Sequence, residues 1–166
     1  MNLSQLADLF AAEATPLLRT DFSDDEAWLA VVAALSAEAD FGDEEDEEDE
    51  EDDGAYLPNV EAISDAAFEG LTGTALAAAW ADHTARGGED EKVGGYVVLV
   101  DARAMADLSD ITVDYVDLDE EPGRTFRCAV AEFASIEANL SVANMDFEDF
   151  ADSVGPDGVF RGFPTD

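Results

Sequence analysis

Ile111-Thr112-Val113-Asp114-Tyr115-Val116-Asp117-Leu118, the turn Asp119-Glu120-Glu121-Pro122-Gly123, and Arg124-Thr125-Phe126-Arg127-Cys128-Ala129-Val130 together decide the fold class. A β-branched and aromatic run meets a Pro-Gly turn. In the run that follows, Phe126, Cys128 and Val130 alternate with Thr125, Arg127 and Ala129. Period-two alternation across such a turn predicts an antiparallel hairpin with Cys128 buried and inert. Helical spacing then takes over. Phe133, Ile136 and Leu140 make one stripe, and Phe147, Phe150, Ala151 and Val154 make another, with Asn144 or Asp146 as the cap of the second helix. The turn Gly155-Pro156-Asp157-Gly158 leads to Phe160 and Phe163, which read as a last apolar anchor.

Working upstream, Gly95-Tyr96-Val97-Val98-Leu99-Val100 is continuously apolar, as a central strand covered on both faces would be. Asp101 follows as the cap of a short helix. Residues 17–22 read as a first strand. Ser23-Asp24-Asp25-Glu26 is a capping box before Trp28, Val31, Val32 and Leu35. Residues 56–63 make a weaker strand, with Pro58 pushing it toward an edge. Thr74 opens a helix with Leu76, Ala79, Trp80 and His83 on one face. Leu3, Leu6, Ala7 and Phe10 mark a short amphipathic helix that Pro16 ends. The expected fold is therefore α/β, with a mixed sheet of about four or five strands and packed helices. Pairing is parallel up to Val100 and antiparallel in the hairpin beyond. The expected organisation is an N-terminal helix at 1–15 and a single compact domain at 16–163.

Residues 43–53 are eleven consecutive acids. Like-charge repulsion and the lack of apolar residues predict a disordered acidic insert at 42–54. The whole chain of 166 residues carries 42 acids against 7 bases, a net charge of −35, so 31 acids remain outside that run. Such a field repels nucleic-acid phosphates and anionic lipid, and it attracts basic proteins and cations. Lys92 is the only lysine, and an acid-rich or salt-adapted proteome would produce the same balance. Cys128 is the only cysteine, which rules out an intrachain disulfide. No secretory signal and no membrane-spanning run is visible, so the expected location is the cytoplasm.

No phosphate-binding loop, nucleophile elbow or metal-spaced Cys/His set occurs. His83, the only histidine, stands near a predicted helix end with no nucleophile nearby in sequence. Asp21, Asp101 and Asp117 end predicted strands, the edge where open α/β sheets bind ligands. Oxygen ligands of that kind suit Mg²⁺, which would support a phosphoryl-transfer or hydrolase reaction. The other candidate site draws on the arginines, for which carboxylate partners are expected throughout: Arg124, Arg127 and Arg161 with Asn139 and Asn144 as an anion pocket.

The segments Leu18-Arg19-Thr20-Asp21-Phe22-Ser23-Asp24, Tyr96-Val97-Val98-Leu99-Val100-Asp101, Pro122-Gly123-Arg124-Thr125-Phe126-Arg127, Asn139-Leu140-Ser141-Val142-Ala143-Asn144-Met145-Asp146-Phe147 and Asp157-Gly158-Val159-Phe160-Arg161-Gly162-Phe163 resemble a small bacterial domain family of unknown function. The resemblance covers residues 17–163 and implies neither an activity nor functional residues. The N-terminal helix and the acidic insert stand outside its common core. The expected function is non-catalytic binding of a basic protein, as immunity proteins and DNA mimics do, without a cofactor. The alternative is the Mg²⁺-dependent enzyme built on the three aspartates.

Overall fold

In a computed structural model that describes residues 2–40, 55–87 and 95–164, the hairpin lies inside a six-stranded sheet. In chain order the first elements are α1 (Leu3–Ala11), β1 (Thr15–Arg19), α2 (Asp25–Leu35), β2 (Ala39–Asp40), β3 (Ala55–Tyr56) and β4 (Val60–Ile63). A 3₁₀ turn (Ala66–Phe68), α3 (Gly73–Gly87), β5 (Tyr96–Val100) and α4 (Ala102–Ala106) follow. The chain continues with β6 (Thr112–Asp117), β7 (Thr125–Ala129), α5 (Val130–Ser141), α6 (Phe147–Ala151) and β8 (Val159–Phe160). The large sheet has the order β4-β1-β5-β6-β7-β8, and β2 pairs with β3 separately.

Strands β4, β1 and β5 are mutually parallel, and β7 and β8 are parallel to each other. β6 runs antiparallel to both β5 and β7. Five strands thus point one way and β6 alone points back. The carboxyl edge of the sheet collects the ends of those five strands and the start of β6. The amino edge collects their starts and the end of β6.

The expectation of four or five strands falls short by β8. Its two residues pair through Arg127↔Val159 and Cys128↔Phe160, too short a stretch for alternation to reveal. β8 also makes β7 an interior strand. Pro16 does not end α1, which stops at Ala11; it is the second residue of β1. Pairing of β1 with β5 begins only at Leu17, so the N–H that Pro16 lacks is not missed on that side. The cap of α2 is Asp24, whose side chain accepts from the Ala27 N–H at 2.9 Å, rather than Ser23. The acidic insert lies outside the described residues.

Both faces of the sheet are covered. On one, Trp28, Val31 and Leu35 of α2, Phe133 and Ile136 of α5, and Phe147 and Phe150 of α6 meet Leu17, Val98, Tyr115 and Phe126. On the other, Leu6 of α1 and Leu76 and Trp80 of α3 meet Leu18, Val97, Leu99 and Val116. β5 supplies alternate residues to both clusters, which is why its sequence is apolar throughout.

α3 seats closely on β6 and β7 because its first residue has no side chain. A Cβ at Gly73 would stand 2.7 Å from Thr125 Cγ2 and 3.1 Å from Val116 Cγ2. Gly73→Ala is expected to destabilise the protein by about 1 kcal/mol, since overpacking outweighs the gain in helix propensity. Thr125→Ser removes the nearer methyl and should recover part of that loss, read as a non-additive double-mutant cycle in denaturant unfolding. Additive effects would show that the contact is not the cause.

Candidate binding trough at the amino edge of the sheet

Glu137 is the most unusual residue of the buried interior. It lies on the apolar stripe of α5, between Phe133 and Leu140 in helical spacing, and is 2% exposed. The Thr15 hydroxyl donates to its Oε2 at 2.6 Å, and the Tyr115 hydroxyl donates to its Oε1 at 2.8 Å. Two neutral hydroxyls therefore satisfy a carboxylate that has no cation partner among the described residues. Burial raises its pKa to about 7, against the smaller lowering effect of those two hydrogen bonds. Burial also raises the Tyr115 phenol and the Cys128 thiol, with the Glu137 charge adding to both shifts. The Tyr96 phenol is raised by burial and by Glu137, and it interacts with the Thr15 hydroxyl.

Thr15, which is buried, and the half-buried Tyr96 also border a surface hollow. With Phe10, Glu13, Gly95 and Leu140 they line a hollow of about 210 Å³. Gly95 keeps this wall open, because a Cβ there would stand 3.0 Å from the Phe10 ring. Phe10 is itself held edge-on to Trp80 at 5.4 Å. A second hollow of about 220 Å³ shares Gly95, Tyr96 and Leu140 and continues over Met145 and Phe147. Its walls carry Asp117, Asp119, Glu120 and Asp146. The two hollows form one trough along the amino edge, with an apolar floor and carboxylates at its rim. No arginine or lysine lines it among the described residues. A larger hollow of about 560 Å³ lies against Val154, Pro156 and Pro164 near the C-terminal turn, but its charged lining is the neutralised pair Asp157–Arg161.

Residues 14–163 match the model of a family described as a domain of unknown function, DUF6924. The chain belongs to that family. No curated protein and no solved structure matches it. Among the described residues of this DUF6924 chain no helix is long and apolar enough to cross a membrane.

The arginines predicted as an anion pocket stand in separate ion pairs. Arg124 donates to Glu121 at 2.7 Å and to Asp152. Arg161 grips Asp110 through both Nη atoms at 2.9 Å and reaches Asp157 through Nε at 3.0 Å. Those contacts hold Asp110 and Asp157 below the usual carboxylate range. Arg127, 8% exposed, forks onto Asp101 at 2.6 and 3.0 Å and donates through Nε to Thr112 at 2.8 Å. The Asn144 side-chain amide, in the loop after α5, donates to Asn139 Oδ1 in the last turn of that helix at 2.7 Å. Arg19, also buried, donates to Asp25 at 2.7 Å and lies over the Phe22 ring.

The three aspartates proposed for Mg²⁺ are not gathered at one edge. Asp21 and Asp101 follow β1 and β5 at the carboxyl edge, but β6 runs the other way and carries Asp117 to the amino edge. Each is engaged locally. Asp21 accepts from the N–H and hydroxyl of Ser23, which lower its pKa. Asp101 caps α4 and pairs with Arg127. Asp117 accepts from the N–H groups of Asp119 and Glu121, shaping the hairpin turn. Among the described residues no group of three or more His, Cys, Asp or Glu side chains could hold a metal ion. Glu137, Thr15 and Tyr96 were absent from the sequence-based candidates. The available signal was an acid at position 137 inside the stripe Phe133, Ile136, Leu140.

Proposed function

We propose that the protein is a non-catalytic binding module for a basic protein, and that the trough at the amino edge is its contact surface. The carrying observation is the lining: an apolar floor of Tyr96, Leu140, Met145 and Phe147 beneath Asp119, Glu120 and Asp146. Such a surface complements side chains that combine an apolar stem with a positive end. The charge balance supports the same reading. Arg19, Arg86, Arg124, Arg127 and Arg161 are each in ion pairs with the chain's own acids, so they offset neighbours rather than build a basic patch. Exposed Val142, just past α5 and 72% accessible, offers an apolar contact beside the trough. The partner is of the kind that immunity proteins and DNA mimics engage, a basic enzyme or a nucleic-acid-binding protein.

The test is capture from the source extract at low and moderate salt with three proteins: the intact chain, a chain lacking 42–54, and Asp119→Lys/Glu120→Lys. Both substituted residues are exposed, so the fold should tolerate reversal. The expected result is one basic partner held at moderate salt by the intact and the shortened chain. Retention should fall at least about tenfold on charge reversal, as like charges then face each other. Capture that depends on 42–54 and ignores the reversal would move the binding surface away from the trough.

A further inference from the structure

We propose that the hollow beside Thr15 and Tyr96 is a socket for one alkylammonium or alkylguanidinium group, the end of a lysine or arginine side chain that the basic partner presents. This rests on the reading of the trough as the contact surface and names what enters its inner end. Three features converge there. Among the described residues Glu137 is a buried carboxylate answered only by two hydroxyls, and an ionised carboxylate in that setting lacks the cation that would offset its desolvation. Thr15 stands between Glu137 and the hollow. Its hydrogen is given to Glu137 Oε2 and its oxygen also meets the Tyr96 phenol, which leaves one lone pair of that oxygen for a donor in the hollow. Phe10 and Leu140 supply an apolar wall for an alkyl stem, and exposed Glu13 supplies a second carboxylate at the mouth. A cation seated on Thr15 and Tyr96 would lie one hydroxyl away from Glu137, close enough for its charge to be felt in an interior of low polarity. The other ionisable groups facing Glu137 are Tyr96, Tyr115 and Cys128, all shifted toward their neutral forms. Glu137 is therefore the buried charge that the socket offers, with Glu13 at its mouth.

The experiment is an NMR titration of the full chain, above the pKa of Glu137, with n-butylammonium, n-butylguanidinium, n-butanol and butyrate. The two cations should give saturable shifts at Gly95 and Tyr96, while butanol and butyrate should give none. Glu137→Gln should weaken the cations by about tenfold, the loss expected when a buried charge partner is removed from a cation site. That variant is expected to fold at least as well as the parent at this pH, so failure to fold does not confuse the result. Equal binding of cations by parent and variant, or equal shifts from butanol, overturns the socket. Lys92 stands three residues before Gly95 in the sequence, so the titration is repeated with Lys92→Gln. Cation binding that appears only in that protein would make the chain's own lysine the occupant and overturn the proposal of a partner side chain. Partner capture through the trough without cation binding would sink the socket and leave the proposed function standing. Loss of both would sink the two together.

Discussion

Glu137→Gln is expected to gain about 3 kcal/mol of stability relative to the parent on passing from about pH 4 to about pH 8. The carboxyl titrates near its ordinary value of 4.5 in the unfolded chain and at about 7 in the folded one. Below the lower value both states are protonated, and acid and amide differ only by a constant. Between the two, the unfolded chain gives up its proton first, so each rise in pH favours unfolding of the parent. Above the higher value the folded carboxyl has ionised as well and the penalty no longer grows. The direction follows from a raised folded-state pKa: the stability contribution is present at low pH and lost as pH rises. Tyr96, Tyr115 and Cys128 are pushed away from this window, so Glu137 titrates without a coupled partner inside it. Asp21, Asp110 and Asp157 have lowered values and act in the opposite sense at acid pH. They are common to both proteins and cancel in the comparison. The measurement is the unfolding midpoint in denaturant across the pH range. Parallel curves for parent and variant would show that the Glu137 carboxyl is not desolvated.

Such an acid in a core is a cost that packing alone would have removed. An apolar residue at position 137 would continue the contacts of Phe133 and Ile136. The cluster of Glu137, Thr15 and Tyr115 occurs in a molecule whose charge already works against compactness. That conflict between local preference and global stability is expected where function constrains the sequence.

The parts of the fold that sequence revealed are those whose pattern is local. The hairpin of β6 and β7 follows from alternation and one Pro-Gly turn. β5 follows from an uninterrupted apolar run, and the caps at Asp101 and Asp146 follow from side-chain chemistry within a few residues. The elements that escaped depend on distant partners. β8 becomes a strand only because β7 is there to bond it. The reversal of β6 relative to β5 carries Asp117 away from Asp101, and no spacing in either segment announces it. The trough is less legible still. Its lining comes from α1, β1, β5, α5, the loop after α5 and the start of α6, segments separated by most of the chain. Only their meeting places Thr15 and Tyr115 around Glu137. The sequence-level rule that ligands gather at the carboxyl edge directed attention to a margin of the sheet where Arg19 and Arg127 pair with Asp25 and Asp101.

That margin carries the second large effect. Arg127→Ala is expected to lower stability by about 3 kcal/mol, the lower end of what breaking a buried ion pair costs, because Asp101 retains partial contact with water. Four donor contacts are lost together: two to Asp101, one to the Thr112 hydroxyl and one to the Thr112 carbonyl at 3.1 Å. These bonds tie β7 to the start of β6 and to the cap of α4, so three elements loosen at once. Asp114 adds to the cost. It is mostly buried, its pKa is raised by desolvation to about 6, and Arg127 is the largest influence holding it down. Without the guanidinium that value should climb further, so the variant should lose additional stability as pH rises through the neutral range. Arg127→Lys should recover only part of the loss, since one ammonium cannot fork onto both Asp101 oxygens and also reach Thr112. Arg124→Ala is the control, with pairs to Glu121 and Asp152 at the surface, where screening by water leaves little to lose. Denaturant unfolding of the three variants orders them: Arg127→Ala lowest, Arg127→Lys between, Arg124→Ala near the parent. If Arg127→Ala were no worse than Arg124→Ala, the fork onto Asp101 would not be a structural tie, and a ligand role for that guanidinium would become the better reading.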